Sequence, residues 1–103
     1  MKIVICTGGF DPLHSGHIEY LKQARALGDQ LVVGVNSDAW LTRKKGAPFM
    51  PWHERAKIIN ELKCVDRVVA FDDSDGSACA LLADMKRQPY AQFRSEEHTS
   101  ELQ

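Results

Sequence analysis

An open, doubly wound parallel sheet of the Rossmann type, α/β with helices on both faces, is the fold class this sequence predicts. Three observations carry it. Short β-branched runs alternate with stretches of helical spacing, the first strand, helix and strand fit in about thirty-five residues, the size of a βαβ unit, and a glycine-rich turn joins the first strand to the first helix. Ile3-Val4-Ile5-Cys6 is the first run; it ends at Thr7-Gly8-Gly9 and reads as a strand buried on both faces. From Ser15 the spacing becomes helical, with Ile18, Leu21, Ala24 and Leu27 on one face and Gly28 at the place of a C-cap glycine, so the first helix is expected over Ser15 to Leu27. Leu31-Val32-Val33-Gly34-Val35 follows as a second strand, parallel to the first.

Asn36 to Pro51 combines Asn, Ser, Asp, Gly and Pro with the basic cluster Arg43-Lys44-Lys45, which predicts a loop with one helical turn near Trp40. Pro51 suits a first helical position, and Trp52, Ala56 and Ile59 mark a face at i, i+4 and i+7 of a second helix running to about Lys63. Val65 and Val68-Val69-Ala70-Phe71 form a third strand. Asp72-Asp73-Ser74-Asp75-Gly76 then supplies turn and N-cap residues for a third helix carrying Ala78, Leu81, Leu82 and Met85. A calcium loop is a poorer reading of that acidic stretch, because its first and twelfth ligand positions would fall on Phe71 and Leu82.

Composition narrows the class further. A chain of 103 residues, 44% hydrophobic and 26% charged, has room for one globular domain. Thirteen Lys and Arg against fourteen Asp and Glu leave a net charge of -1, which disfavours nucleic acid and anionic membranes as partners. The four apolar residues of the opening run are too few for a signal-peptide core or a membrane span, so a cytoplasmic protein is expected. Cys6, Cys64 and Cys79 form no CxxC pair and sit in or beside apolar runs, as buried thiols of a reducing compartment do.

Chemistry concentrates in Thr7-Gly8-Gly9-Phe10-Asp11-Pro12-Leu13-His14-Ser15-Gly16-His17, between the first strand and the first helix. Glycines let a backbone approach a phosphate, a helix start offers unpaired N–H groups and partial positive charge, and two imidazoles flank that end. The segment is suited to a polyphosphate, yet it is neither GxGxxG nor a Walker A loop. Two histidines three apart can also be ordinary capping residues or half of a zinc site, but no Cys or further His stands at suitable local spacing. In this glycine-rich setting phosphate chemistry is the favoured reading. Taken alone, the lysines would be a solvated cluster. Trp52, Phe49 and Met50 could stack on a base, although core packing is the commoner fate. Asp38, at the ligand-binding edge, could contact ribose or metal, or cap a loop.

The stretch GGFDPLHSGH resembles the signature of the cytidylyltransferase-like nucleotidyltransferase family, a glycine-aromatic-Asp turn followed by HxGH. Asn36-Ser37-Asp38 after the second strand, Lys44-Lys45, Glu54-Arg55 and Val65-Asp66 recur in the family's order, and the resemblance covers about Lys2 to Leu82. It is closest to the branch of glycerol-3-phosphate cytidylyltransferases, ethanolamine-phosphate cytidylyltransferases and the adenylyltransferase domain of ADP-heptose synthesis. The resemblance implies transfer of CMP or AMP from CTP or ATP to a small phosphorylated acceptor, with release of pyrophosphate and without a covalent enzyme intermediate. It also implies Mg²⁺ bound with the triphosphate, no metal held by the protein alone, and a homodimer. On the same basis His14 and His17 donate to the phosphates, and Lys44 or Lys45 neutralises triphosphate or acceptor charge. Thr7, Gly8, Gly9, Phe10 and Asp11 hold the nucleotide, Gly16 permits close approach, Asp38 lies at the nucleotide, and Arg55 is a further phosphate contact.

Two other classes compete. A nucleotide-binding module without turnover is the second reading, because nothing between Ser77 and Phe93 matches the family's later Ser/Thr-rich, basic segment. A structural or interaction domain would need only the βαβ pattern and would leave the motif order accidental. Residues 94–103, RSEEHTSELQ, lack an apolar face, are expected to add no strand, and resemble the conceptual translation of a common short-read sequencing adapter. They are expected to be a non-native tail after a partial domain over residues 1–93, incomplete at its C-terminus.

Overall fold

The computed structural model describes residues 2–74, 92–95 and 101–102. Three strands, β1 (Ile3–Gly8), β2 (Gln30–Val35) and β3 (Arg67–Ala70), run parallel and are joined by α1 (Ser15–Arg25), then by α2 (Asp38–Lys45) and α3 (Trp52–Asn60). A fourth, β4 (Gln92–Ser95), lies parallel to β1 on its other side, and β5 (Glu101–Leu102) pairs antiparallel with β4, so the sheet order is β3-β2-β1-β4-β5. The α/β, Rossmann-like class is the observed one.

Register explains the alternation of the core. Val4 stands beside Leu31 and Cys6 beside Val33, so these residues share one face, while Ile3, Ile5 and Val32 share the other. All of them are buried, as two-sided coverage of a parallel sheet requires. On the Val4 face Leu21 and Ala24 of α1 and Ile59 of α3 complete a single apolar cluster. An 11-residue helix is marginal in isolation, so α1 owes its stability to the burial of that stripe. Both crossovers step in one direction, and right-handed connections stepping one way place their helices on the same side of the sheet. The third helix expected through Ala78, Leu81, Leu82 and Met85, and Cys79 within it, lie outside the described residues.

Several boundaries differ from expectation. α1 stops at Arg25 with Ala26 as its C-cap, and Leu27 is 38% exposed. Gly28 serves a close approach instead: a Cβ there would stand 2.9 Å from the Lys2 carbonyl oxygen. Pro51 is the N-cap of α3, extended at ψ 160°, and α3 ends at Asn60. Asn36 to Pro51 is less loop-like than predicted, for α2 is a full helix. The Ser37 hydroxyl accepts from the Trp40 amide at its start, and Gly46 ends it at φ 96°, where a side chain would be strained. The expectation that residues 94–103 add no strand is corrected as well. Arg94 and Ser95 stand beside Cys6 and Thr7, because the backbone of β1 has a ladder to complete on that side whatever side chains approach it.

Away from the site, the lower end of the sheet is tied by Asp66. Its carboxylate accepts from the Leu31 amide at 2.7 Å and lies 3.1 Å from Arg25 Nε. Val65-Asp66 therefore joins β2 to α1.

Candidate active site

β1 leads to β2 and β3 on one side, and β4 lies on the other, so the topological switch point of the sheet falls at the carboxyl end of β1. Gly8, Gly9 and the start of α1 lie there. Thr7 is buried within the strand and Phe10 is buried just beyond it, with φ 51° turning the chain sharply toward α1. The rings of Phe10 and His17 meet in a T-shape with centroids 5.2 Å apart, so the aromatic of the turn backs a histidine.

The two histidines form a capping box. His14 is the N-cap of α1, and its Nδ1 accepts from the Gly16 amide at 3.1 Å. His17 Nδ1 accepts from the His14 amide at 3.2 Å, and the rings stack with centroids 3.9 Å apart. These two bonds assign the tautomers, since a nitrogen that accepts carries no hydrogen, and the neutral rings therefore carry theirs on Nε2. Both imidazoles are thus N–H donors at the positive end of a helix. Gly16 is what allows this. A Cβ there would stand 2.9 Å from His14 Cε1 and 3.1 Å from Nδ1.

Beside this end lies an open depression of about 300 Å³ lined by Gly9, Phe10, Asp11, Trp40, Leu41, Lys44 and Lys45. Leu41 and Gly9 explain each other, for a Cβ on Gly9 would come within 2.9 Å of Leu41 Cδ2. Lys44 Nζ lies 4.7 Å from the centroid of the Trp40 ring, a cation–π contact that gives the flexible lysine a preferred place. Lys45 is held otherwise. Its ammonium is 2.7 Å from the Asp11 carboxylate and donates to the Asp11 carbonyl at 2.9 Å. The basic cluster thus occupies the last turn of α2, where cations favour the helix dipole.

Asp11 is a junction. Its side chain is 1% exposed and also accepts from the amides of Phe49 and Met50. Burial pushes the carboxyl up, but the hydrogen bond from Lys45, the two amides and the lysine charge together outweigh it and hold it below the ordinary aspartate value. Phe49 itself is 75% exposed, which corrects its expected place in the core. Trp52 is partly buried against the core and donates from its indole to the Val35 carbonyl at 3.0 Å.

Arg55, expected as a phosphate contact, is a buried cation with protein partners. Its side chain is 0% exposed, and its guanidinium donates to the carbonyls of Met50, Gly9 and Asn36 and, at 2.6 Å, to Asp38 Oδ1. A buried cation needs such partners. Arg55 clamps the ends of β1 and β2, and Asp38, 46% exposed, is its counterion.

Sequence reasoning missed Asp73 and Trp40. Asp73, read as a turn or capping residue, is buried, and its carboxylate accepts from Asn36 Nδ2 at 3.1 Å, the Ser37 amide at 2.8 Å and the Ser37 hydroxyl at 2.7 Å. No periodicity marks such a residue. Trp40 carried a signal, four residues before Lys44 on a stretch bounded by Ser37 and Gly46.

Among the described residues, no helix is long and apolar enough to cross a membrane.

Comparison with known proteins points to one family. The family described as cytidylyltransferase-like matches residues 5–98. The bifunctional protein HldE of Pelobacter propionicus is 42% identical over 102 residues, 97% of this chain and 20% of its own length. HldE of Citrifermentans bemidjiense is 51% identical over 74 residues, 70% of this chain and 15% of its own. The chain thus spans one fifth or less of these curated relatives. A crystal structure of the lipopolysaccharide core biosynthesis protein from Thermoplasma volcanium GSS1 superposes with a TM-score of 0.72 at 27% identity, covering 100% of this chain and 99% of that one. With a family match over most of its length, similar relatives and a shared fold, the chain belongs to the cytidylyltransferase-like family of nucleotidyltransferases.

Proposed function

We propose that this site transfers the nucleoside monophosphate of CTP or ATP to a phosphorylated small molecule, a sugar phosphate above all. A phosphate oxygen of the acceptor bonds to the α-phosphorus while the bond from that phosphorus to the β-bridging oxygen breaks. Pyrophosphate leaves with the electron pair. The attacking phosphate is already an anion, so no general base is required, and donors placed where charge gathers do the catalysis. The observation that carries the reading is the histidine capping box, which sets two Nε2–H donors at the helix start beside a lysine-lined depression.

Mg²⁺ enters with the nucleotide as part of the substrate. Magnesium keeps its waters and takes phosphate oxygens with one or two carboxylates, and the partly exposed Asp38 is the carboxylate nearest this role. The sugar-phosphate preference rests on the lipopolysaccharide core named for the structural neighbour.

Pyrophosphate release by the intact protein with CTP or ATP, magnesium and either glycerol phosphate, ethanolamine phosphate or sugar phosphates tests the reading. His17→Ala is expected to lower kcat by about 10²-fold or more, the scale for losing one donor to a developing oxyanion, while the circular dichroism spectrum is kept. Near-normal turnover in that variant would sink the assignment. Nucleotide binding without pyrophosphate release from any acceptor would leave a nucleotide-holding module.

A further inference from the structure

Asp73 stands on the segment after β3, outside the depression, yet three donors from the segment after β2 converge on its carboxylate. Aspartate is rarely buried without such partners. Through them it meets both ends of a chain of contacts leading into the site. Ser37 is the N-cap of α2: its hydroxyl gives its hydrogen to Asp73 and accepts from the Trp40 amide at 3.1 Å, so one side chain passes the position of Asp73 to the first turn of the helix. Asn36 donates its side-chain amide to Asp73 and offers its carbonyl to Arg55 at 2.7 Å. Further along α2, Arg43 donates to the Asp73 carbonyl at 3.0 Å. The helix is therefore held by one residue at its N-cap and again near its last turn. That turn carries Lys44, which with Trp40 lines the depression.

We propose that Asp73 is a positioning residue that sets, through Ser37, Asn36 and Arg43, the pose of α2 and hence of Lys44 over the depression. The inference rests on the nucleotidyl-transfer reading and deepens it, by assigning the lysine's placement to a residue outside the lining of the depression. The eight-residue helix buries only Leu41, so polar contacts orient it, and those to Asp73 act beside the Asp38–Arg55 and Lys45–Asp11 pairs. A misplacement near 1 Å can cost about 10²-fold in rate.

The test is a double-mutant cycle on the intact protein, reading kcat/KM for the nucleotide by pyrophosphate release, with circular dichroism as the control for folding. Asp73→Ala is expected to lower kcat/KM by about 10–10²-fold. Asp73→Asn keeps an acceptor for the Ser37 amide and Asn36 and can turn its own amide toward the Ser37 hydroxyl, so it retains most activity. In a Lys44→Ala background Asp73→Ala costs no more than about twofold further, whereas independent damage would multiply the two losses. Multiplied losses, an active Asp73→Ala, or a Lys44→Ala of unchanged activity would each overturn the inference. If Asp73→Ala does not fold, Ser37→Ala breaks the same link and runs the same cycle. The His17→Ala assay separates the two failures: an active His17→Ala removes the functional reading, whereas an inactive one with multiplied Asp73 and Lys44 losses removes only this inference.

Discussion

Gly16 faces opposed demands, and the smaller one decides its identity. Alanine in its place would favour the helix by up to about 1 kcal/mol, but its methyl would stand 2.9 Å from the His14 ring. The His14 side chain is exposed and can move aside, so stability survives while the capping box does not. Gly16→Ala is therefore expected to melt within a few degrees of the parent, yet to lose about 10²-fold in pyrophosphate release as the donor is displaced. Full activity in that variant would show that the cap is not needed for turnover. That two histidines flank the start of α1 was legible from residue types and spacing. The reason for the spacing was not, because it depends on which ring nitrogen meets which amide.

At the scale of the element, α2 and the linker after it depart from the sequence reading for a definable reason. Periodicity finds helices that bury a stripe, and α2 buries Leu41 alone. Its ends were nonetheless written in Ser37 and Gly46. The linker is held by Asp11, and this gives a pH prediction. A carboxyl held below its ordinary value stabilises the fold fully above the unfolded value, about 3.9, and loses that contribution as pH falls through the lower folded value. Asp11→Asn should melt below the parent at pH 7, and the gap should close as both are acidified below the unfolded value. Melting curves at stepped pH measure it; a gap that stays constant would mean that the carboxylate charge is not what Asp11 contributes.

At the scale of the molecule, one face of the sheet meets two helices among the described residues, α1 and α3, and this contact makes a large share of the core. Ile59 is fully buried where α3 joins that cluster. Ile59→Ala should cost about 2–5 kcal/mol in urea denaturation, against a total near 5–15 kcal/mol for a domain. A loss below about 1 kcal/mol would mean that α3 packs loosely and that its contact with β2 and β3 is not what holds the cluster.

What the sequence determined by itself is the run of parallel strands, the helices that carry an apolar stripe and the glycine- and histidine-rich turn that joins the first strand to the first helix. Each of these is encoded in neighbours along the chain: β-branched runs, three- and four-residue spacing, glycines beside histidines. Tertiary structure alone decided that Arg55 clamps two strand ends, that Lys45 is paired with Asp11, and that Asp73 reaches Ser37. Those contacts join residues 17 to 46 positions apart, and a charged side chain reads the same in sequence whether water or a distant carbonyl satisfies it. Burial chooses between these, and burial is a property of the folded whole.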